Sequence, residues 1–355
     1  MIKALFIYSG VDRRELEKKV LAGTDPDTSF FGYTHVAKDP RISVSYIQVN
    51  KDSYAFAGGI VRKYVWLRVM YLFFKYHRLF NNQDVILITS SAYFDLLRLR
   101  QLGAFKHQKL IILNLDLIIS LSSHRFALST INLADKIICV SEEQKDFLIN
   151  KGIESHKVIF VPLGIDRNFY QVSKAQGEFI LTVGRDIGRD FETFIEAVRL
   201  IGEKTVMVCS PKNIDGLEDK IPPNLTVLFD LPYQELKNYY KQAKVFVMAT
   251  KPGESLVGSD CPGQTAVLDT LAYGVPVVAT YMPWFRGYFE EGEEIVTVPP
   301  KDPKALSEAV KRVLADHVLA THMAEKGRKL IENKCNSETM GKAIAKIILE
   351  VVLTN

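Results

Sequence analysis

The chain has 355 residues, 47% of them apolar and 24% charged, with 45 basic against 41 acidic side chains and a net charge of +4. That length exceeds what one core usually serves and predicts two domains. The mild charge excludes a nucleic-acid binder on composition but suits an anionic substrate or a membrane surface.

Residues 1–8 (MIKALFIY) are too short for a signal peptide and are followed by the wrong residues; 2–8 read as a buried strand that ends at the Ser9-Gly10 turn. Next comes Ile60–Phe80, strongly apolar and aromatic yet carrying Arg62, Lys63, Arg68, Lys75 and Arg78. Wound as a helix it shows no clean polar face. It reads first as a mostly buried helix with snorkelling cations, and second as a contact with a membrane surface or lipid-linked acceptor. Val85–Thr89, Leu110–Leu113, Lys136–Val140 and Val158–Val161 are short apolar runs, with helical patterns such as Glu143–Asn150 between them. This alternation predicts a parallel sheet covered by helices.

The pattern restarts after a polar stretch at 171–177. Phe179–Val183, Thr205–Cys209, Leu225–Phe229, Val245–Ala249 and Val275–Thr280 read as strands. Phe191–Ile201 reads as a helix with Phe191, Phe194, Ile195 and Val198 on one face. Asp302-Pro303 opens another helix, and Ser337 caps the last one, apolar at Met340, Ile344, Ile347, Ile348 and Val351. The fold class is therefore α/β, with two Rossmann-like doubly wound domains facing a cleft. Their limits are 1–170 and 178–335, with a terminal helix over 336–355. No run of about 18 uncharged apolar residues occurs, so no spanning helix is expected. The four cysteines, Cys139, Cys209, Cys261 and Cys335, form no CxxC pair and suggest neither a zinc site nor a disulfide framework; a reducing compartment fits.

Two stretches carry chemistry. In SDCPGQTAVLDTLAYGVPVVAT, Ser259–Thr280, Pro262-Gly263-Gln264-Thr265 lead into a helix that stops at Gly274. Thr265 is the expected N-cap, and the first-turn amides form an anion site. Asp269 lies one turn behind, where a carboxylate would accept two ribose hydroxyls from a diphosphate-bearing nucleotide. The competing reading leaves Asp269 on a solvated side. In FILTVGRDIGRDFETFIEAV, Phe179–Val198, a strand ends at Gly184 and Arg185 and Arg189 lie in the turn before a helix. Arginine forks suit phosphate, and both turns belong at the C-terminal edge of a parallel sheet. Equally, the arginines could pair with Asp186 and Asp190 in a solvated loop.

These residues resemble a GT-B-fold glycosyltransferase of the large retaining group called family 4 or group 1. Ala134–Tyr170 is similar to the family's domain-linking block. VGR…TFIEA resembles its donor-phosphate turn, with Arg185 at the family's arginine and Arg189 where lysine is usual. Asp230–Thr250 is similar to the segment whose first loop receives the base, which makes Leu231 and Tyr233 candidates. VLDTLAYGVPVVAT matches the family's glutamate-containing helix, with Asp269 for the second glutamate of its pair. The resemblance covers roughly the last two thirds of the chain. It implies a nucleotide diphosphate sugar as donor substrate with no cofactor, no required metal, retention of configuration, and an acceptor, glycan or lipid-linked, on the N-terminal domain. It also implies a cytoplasmic setting and a terminal helix packed back on the N-terminal domain.

Departures from the family define the remaining candidates. Its first glutamate falls at Cys261, so Asp260 or Glu254 are candidate catalytic residues in its place. Its N-domain histidine is absent after Leu110–Leu113, where Asn114–Leu117 reads NLDL; Asp116 is the candidate there and His124 the weaker one. Its Gly-Gly turn reads Ser9-Gly10-Val11, leaving Gly10 as a donor-side candidate, and Gly58-Gly59 fit an acceptor loop. Asp25-Pro26-Asp27 spells the metal-binding motif of the other glycosyltransferase fold, but in a polar loop it reads as a turn. Competing functions are a catalytically silent nucleotide-sugar-binding subunit, a GT-B-fold epimerase or phosphorylase, and, least favoured, a dinucleotide oxidoreductase, which lacks its GxGxxG.

Overall fold

The computed structural model describes residues 1–49, 65–122, 127–172, 177–251 and 259–353. They form two compact units: Met1–Gly23 with Asp27–Gly164 and Ser337–Asn355, and Ile165–Asn336 with Thr24–Pro26.

The first unit is built on six parallel strands, β1 (Ile2–Tyr8), β2 (Ile42–Gln48), β3 (Val85–Ile88), β4 (Lys109–Leu113), β5 (Lys136–Cys139) and β6 (Val158–Phe160), in the order β2-β1-β3-β4-β5-β6. Its helices include α1 (Arg13–Leu21), α2 (Tyr33–Val36), α3 (Val65–Asn81), α4 (Leu117–Ser122), α5 (Ala127–Ile131) and α6 (Glu142–Asn150). Central strands covered on both faces must be apolar throughout, so β1, β3, β4 and β5 read from sequence as continuous runs. The edge strand β2, ISVSYIQ, pairs only with β1 and alternates polar and apolar residues, which hides it from a search for apolar runs. Gly10 follows β1 in the left-handed region (φ +77°) and Asp116 follows β4. Both thus stand at the C-terminal edge of the sheet, Gly10 where the strand order reverses between β1 and β3.

The second unit repeats the plan with β7 (Phe179–Val183), β8 (Thr205–Cys209), β9 (Leu225–Phe229), β10 (Ala243–Met248), β11 (Val277–Thr280) and β12 (Ile295–Val298), ordered β12-β11-β10-β7-β8-β9 and parallel throughout. Helices α7 (Phe191–Ile201), α8 (Tyr233–Lys241), α9 (Gln264–Ala272), α10 (Pro303–Ala315) and α11 (His317–Asn333) accompany them. Phe194, Ile195, Val198, Val245, Val247, Val278, Leu306 and Val310 share its core. Each such side chain contributes roughly 1.5–3 kcal/mol by leaving water. The order reverses between β7 and β10, so the loops after these two strands flank the crevice where open α/β sheets bind ligands.

The last helix, α12 (Ser337–Leu353), counts with the first unit. A Cβ on Gly341 would lie 2.7 Å from the Gly32 carbonyl oxygen and 2.5 Å from the His35 Cβ, so the two backbones meet where only glycine fits. The unit break falls at 164/165 rather than at 171–177. Residues 165–170 (IDRNFY) precede that polar stretch but go with the second unit, because Phe169 and Tyr170 pack there on Tyr233 and Tyr273.

Two readings are corrected. Asp27 does lie in a turn, opening a short 3₁₀ segment, but it is buried rather than part of a polar loop, accepting hydrogen bonds from Thr34 and Ser337, with His35 Nε2 at 3.6 Å. Burial pushes its carboxyl up, but hydrogen bonds from His35, Ser337 and Thr34 outweigh this and hold it below the ordinary aspartate value. The helix expected at 60–80 is described from Val65 and is amphipathic rather than mostly buried. Val69, Leu72 and Phe80 enter the core, while Trp66 and Phe74 are 62% and 63% exposed.

Candidate functional site

The loop after β7 carries Arg185 and Arg189, and the two differ sharply. Arg189 is 3% exposed. Backbone bonds hold its loop against the segment after β10: Asp190 N–H donates to Ala249 O at 3.0 Å and Lys251 N–H to Gly188 O at 2.8 Å. Its Nη2 donates to the Thr182 hydroxyl at 3.2 Å, while Nε and Nη1 are buried without a hydrogen-bond partner. Desolvation pulls this guanidinium down to about 10. A buried charge left half-unsatisfied is costly, and such a group calls for a water, an ion or a ligand to complete its bonding.

The other wall of this spot is the start of α9. Gly263, not Thr265, is the N-cap; Thr265 is exposed in the first turn. Gly263 adopts φ +76°, and a Cβ built there would come within 2.0 Å of Met248 Sδ and 2.8 Å of Arg189 Nη1. Glycine is therefore required twice, for its backbone angle and for space. The residue brings no side chain to cap the first turn. The positive end of the helix dipole thus meets a buried guanidinium, a repulsive pairing that an anion would reverse.

Arg185 sits in solvent. Its Nε lies 3.1 Å from Asp230 Oδ1 and its Nη2 donates to the Leu231 carbonyl at 3.3 Å, with side chains 58% and 53% exposed. Neither arginine takes the partners that a solvated loop suggested: Asp190 caps α7 through Thr193, and Asp186 accepts from Gly188 N–H at 2.6 Å. An exposed pair of this kind contributes about 0–1 kcal/mol. Arg185→Ala is accordingly expected to move the unfolding free energy by less than about 1 kcal/mol in a denaturant titration.

Asp269 is not on a solvated side. It is 5% exposed, and its Oδ1 accepts the Tyr170 hydroxyl at 2.6 Å. Around it, Tyr170 stands edge-on to Tyr273 (5.1 Å), Tyr273 stacks on Tyr240 (5.6 Å), and Tyr233 packs on Phe169 (5.8 Å) and Tyr170 (6.5 Å). Tyr233, a candidate for the base, thus turns its ring into this cluster, while Leu231 stays half-buried beside Arg185. Burial drives the Asp269 carboxyl up to about 7, partly opposed by the Tyr170 hydrogen bond. Because the folded chain then binds a proton that the unfolded chain has released, this group lowers stability as pH rises from about 4 to 7. Asp269→Asn should therefore gain on the wild type by up to ~4 kcal/mol between pH 4 and pH 8, read as the difference of their melting curves.

Gln264 Nε2 donates to the Tyr288 hydroxyl at 3.1 Å, which fixes the first residue of α9 inside the fold. Asp260 and Cys261 are buried, and Cys261 N–H donates to the Ser259 hydroxyl at 3.3 Å. In the first unit, Asp116 N–H donates to Asn114 Oδ1 at 2.8 Å, so the NLDL turn is ordered by its own asparagine. Glu254, His124 and Gly58-Gly59 lie outside the described residues. The structure thus brings Arg189, Gly184 and Gly263 to one spot in the second unit and gathers Asp269 with Tyr233. Among the described residues no group of histidine, cysteine, aspartate and glutamate has the arrangement of a metal site. Tyr170 was missed in the sequence; its only signal is a tyrosine directly after the apolar Phe169.

Comparison with known proteins places a family match inside the second unit. Residues 177–316 match the family described as Glycosyl transferases group 1. Over 180 residues the chain is 25% identical to the lipopolysaccharide core biosynthesis glycosyltransferase LpsE of Rhizobium meliloti (strain 1021), covering 49% of this chain and 50% of that protein. It thus spans about half the length of the curated relative it matches. Sucrose-phosphate synthase from Thermosynechococcus elongatus superposes with a TM-score of 0.72 at 15% identity over all of both chains. HepE of Anabaena, solved in complex with UDP-glucose, superposes with 0.70 at 13% identity over 99% of this chain and 100% of its own. The fold is that of the GT-B glycosyltransferases.

Proposed function

We infer, for a chain whose second unit is a group 1 glycosyl transferase domain, that the protein moves a sugar from a nucleotide diphosphate sugar to a glycan or lipid-linked acceptor. One observation carries this reading: a buried arginine with two unsatisfied nitrogens faces the glycine-capped start of α9. A diphosphate satisfies both. In the transfer, an acceptor hydroxyl oxygen bonds to the anomeric carbon as the bond from that carbon to the diphosphate oxygen breaks; the hydroxyl gives up its proton, and negative charge grows on the leaving diphosphate. Arg189 and the first amides of α9 would stabilise that charge without a metal ion, an effect strongest in a site from which water is excluded. Asp269 would hold the ribose, and Leu231 the base. Asp116, at the C-terminal edge of the first sheet, is proposed as a catalytic residue and Gly10, at the same edge, as a donor contact, with Asp260 and Glu254 as further catalytic candidates.

Retention of configuration rests on the family likeness. The lipid-linked acceptor draws support from α3, whose exposed Trp66 and Phe74 share a helix with Arg68, Lys75 and Arg78. Aromatic and cationic side chains together suit the surface of a cytoplasmic leaflet. No described helix is long and apolar enough to cross a membrane. The test is incubation with a panel of UDP-, GDP-, ADP- and CMP-sugars and simple glycoside acceptors, following nucleotide release and the anomeric proton of the product by NMR. Product with the donor's configuration is expected. Binding without release would instead make the protein a silent subunit.

A further inference from the structure

We propose that Tyr170 is a positioning residue of the donor site: its hydroxyl fixes the Asp269 carboxylate in its ionised, ribose-accepting form. The proposal rests on the donor-site reading above.

The geometry is that of a held side chain rather than a chance contact. Tyr170 is fully buried and its hydroxyl donates to Asp269 Oδ1 at 2.6 Å. Its backbone is pinned from a third element. Arg328, on α11, donates through Nη1 to the Tyr170 carbonyl at 2.8 Å and to the Ala272 carbonyl at the end of α9, and through Nη2 to the Arg167 carbonyl at 3.4 Å. One guanidinium therefore sets the spacing between the 167–170 segment and the helix that carries Asp269. Upstream, Ile165 N–H donates to Cys335 O at 3.0 Å, and Arg167 Nη1 to Glu332 O at 2.9 Å.

The groups facing the carboxylate are phenols from three elements: Tyr170 from this segment, Tyr233 and Tyr240 from α8, and Tyr273 just past α9. The charges next in line are Arg189, which acts on Tyr240, and Arg328 on the two carbonyls. In so apolar a place the carboxyl holds a proton up to about 7, with Tyr170 pulling the other way. A protonated acid uses one oxygen for its own proton, whereas the carboxylate accepts from Tyr170 and still receives ribose hydroxyls. Ribose recognition should therefore strengthen as pH rises, and Tyr170 should set where.

The experiment measures affinity for UDP-, GDP- and ADP-glucose from pH 5.5 to 9 in the wild type, Tyr170→Phe and Asp269→Asn. These probes lack the terminal phosphate group whose own titration near pH 6 would obscure the profile. Affinity of the wild type should rise with pH. Tyr170→Phe, which keeps the ring, should move the midpoint up by about one pH unit, a loss of roughly five-fold at the wild-type midpoint that approaches ten-fold below it and closes at pH 9. Asp269→Asn should be flat. Equal weakening of Tyr170→Phe at every pH with an unmoved midpoint would make Tyr170 merely structural. Wild-type binding independent of pH would overturn this proposal alone. Failure of all three sugars to bind at any pH would overturn the donor-site reading and this proposal with it.

Discussion

Arg189→Met is expected to stabilise the protein without ligand while removing its affinity for nucleotide diphosphate sugars. The two effects have opposite sign because they have one cause. Arg189 is buried with Nε and Nη1 unsatisfied, beside the positive start of α9. Replacing buried ionic groups by apolar side chains of similar volume is often neutral or stabilising by about 1–4 kcal/mol, and Arg189 gives up one side-chain hydrogen bond, to Thr182. In a domain of this size each kcal/mol raises the melting temperature by about 2–4 °C. Bound diphosphate instead makes the same guanidinium a charge-assisted, desolvated contact, and deleting one such partner weakens binding by about 2–5 kcal/mol. A purely structural arginine would behave otherwise, with Arg189→Met destabilised. Calorimetric melting of the two proteins with and without ligand separates the cases.

Gly263→Ala is the second large effect, and here stability and binding fall together. The backbone sits at φ +76°, where a side chain is disfavoured by about 1–2 kcal/mol. The new methyl also meets Met248 Sδ at 2.0 Å and Arg189 Nη1 at 2.8 Å. The thioether can swing aside, but only by disturbing the wall of the site, an overpacking cost of about 1–3 kcal/mol. A loss of ~2–5 kcal/mol in unfolding free energy is expected from the two together. Whatever protein folds should bind nucleotide sugars weakly, because the guanidinium is displaced from the helix tip. A variant with unchanged stability would show that the turn is looser than its backbone angle implies.

The sequence made the architecture readable because buried parallel strands must be apolar on both faces, and β1, β3, β4, β5, β7 and β8 are. The two strands it hid both lie at a sheet edge: β2 (ISVSYIQ) alternates and β12 (IVTV) is interrupted by a threonine, whereas the other edges, β6 and β9, are legible. At the site, spacing located both turns but could not rank their arginines. Which of Arg185 and Arg189 is swallowed by the fold depends on Gly184 and Gly263 leaving room for a guanidinium, a three-dimensional fact. Thr265 looked like a cap by residue type, yet the positive φ of Gly263 starts the helix two residues earlier than that cap requires. Asp269 was legible as an odd charge on an apolar helix. Its partner was not, since nothing local ties Tyr170 to a residue 99 positions away. Likewise Asp27 looked like part of a polar turn until Ser337, 310 residues on, donated to it.

The central claim is that Arg189 and the start of α9 form a diphosphate clamp for a nucleotide sugar. Its most direct test is a calorimetric titration of wild type and Arg189→Met side by side with UDP-, GDP- and ADP-glucose. The clamp predicts that one of these binds the wild type and that Arg189→Met, folded and more stable, binds it at least thirty-fold more weakly, the ~2 kcal/mol lower bound of a lost charged contact. Equal affinity in the two proteins would contradict it.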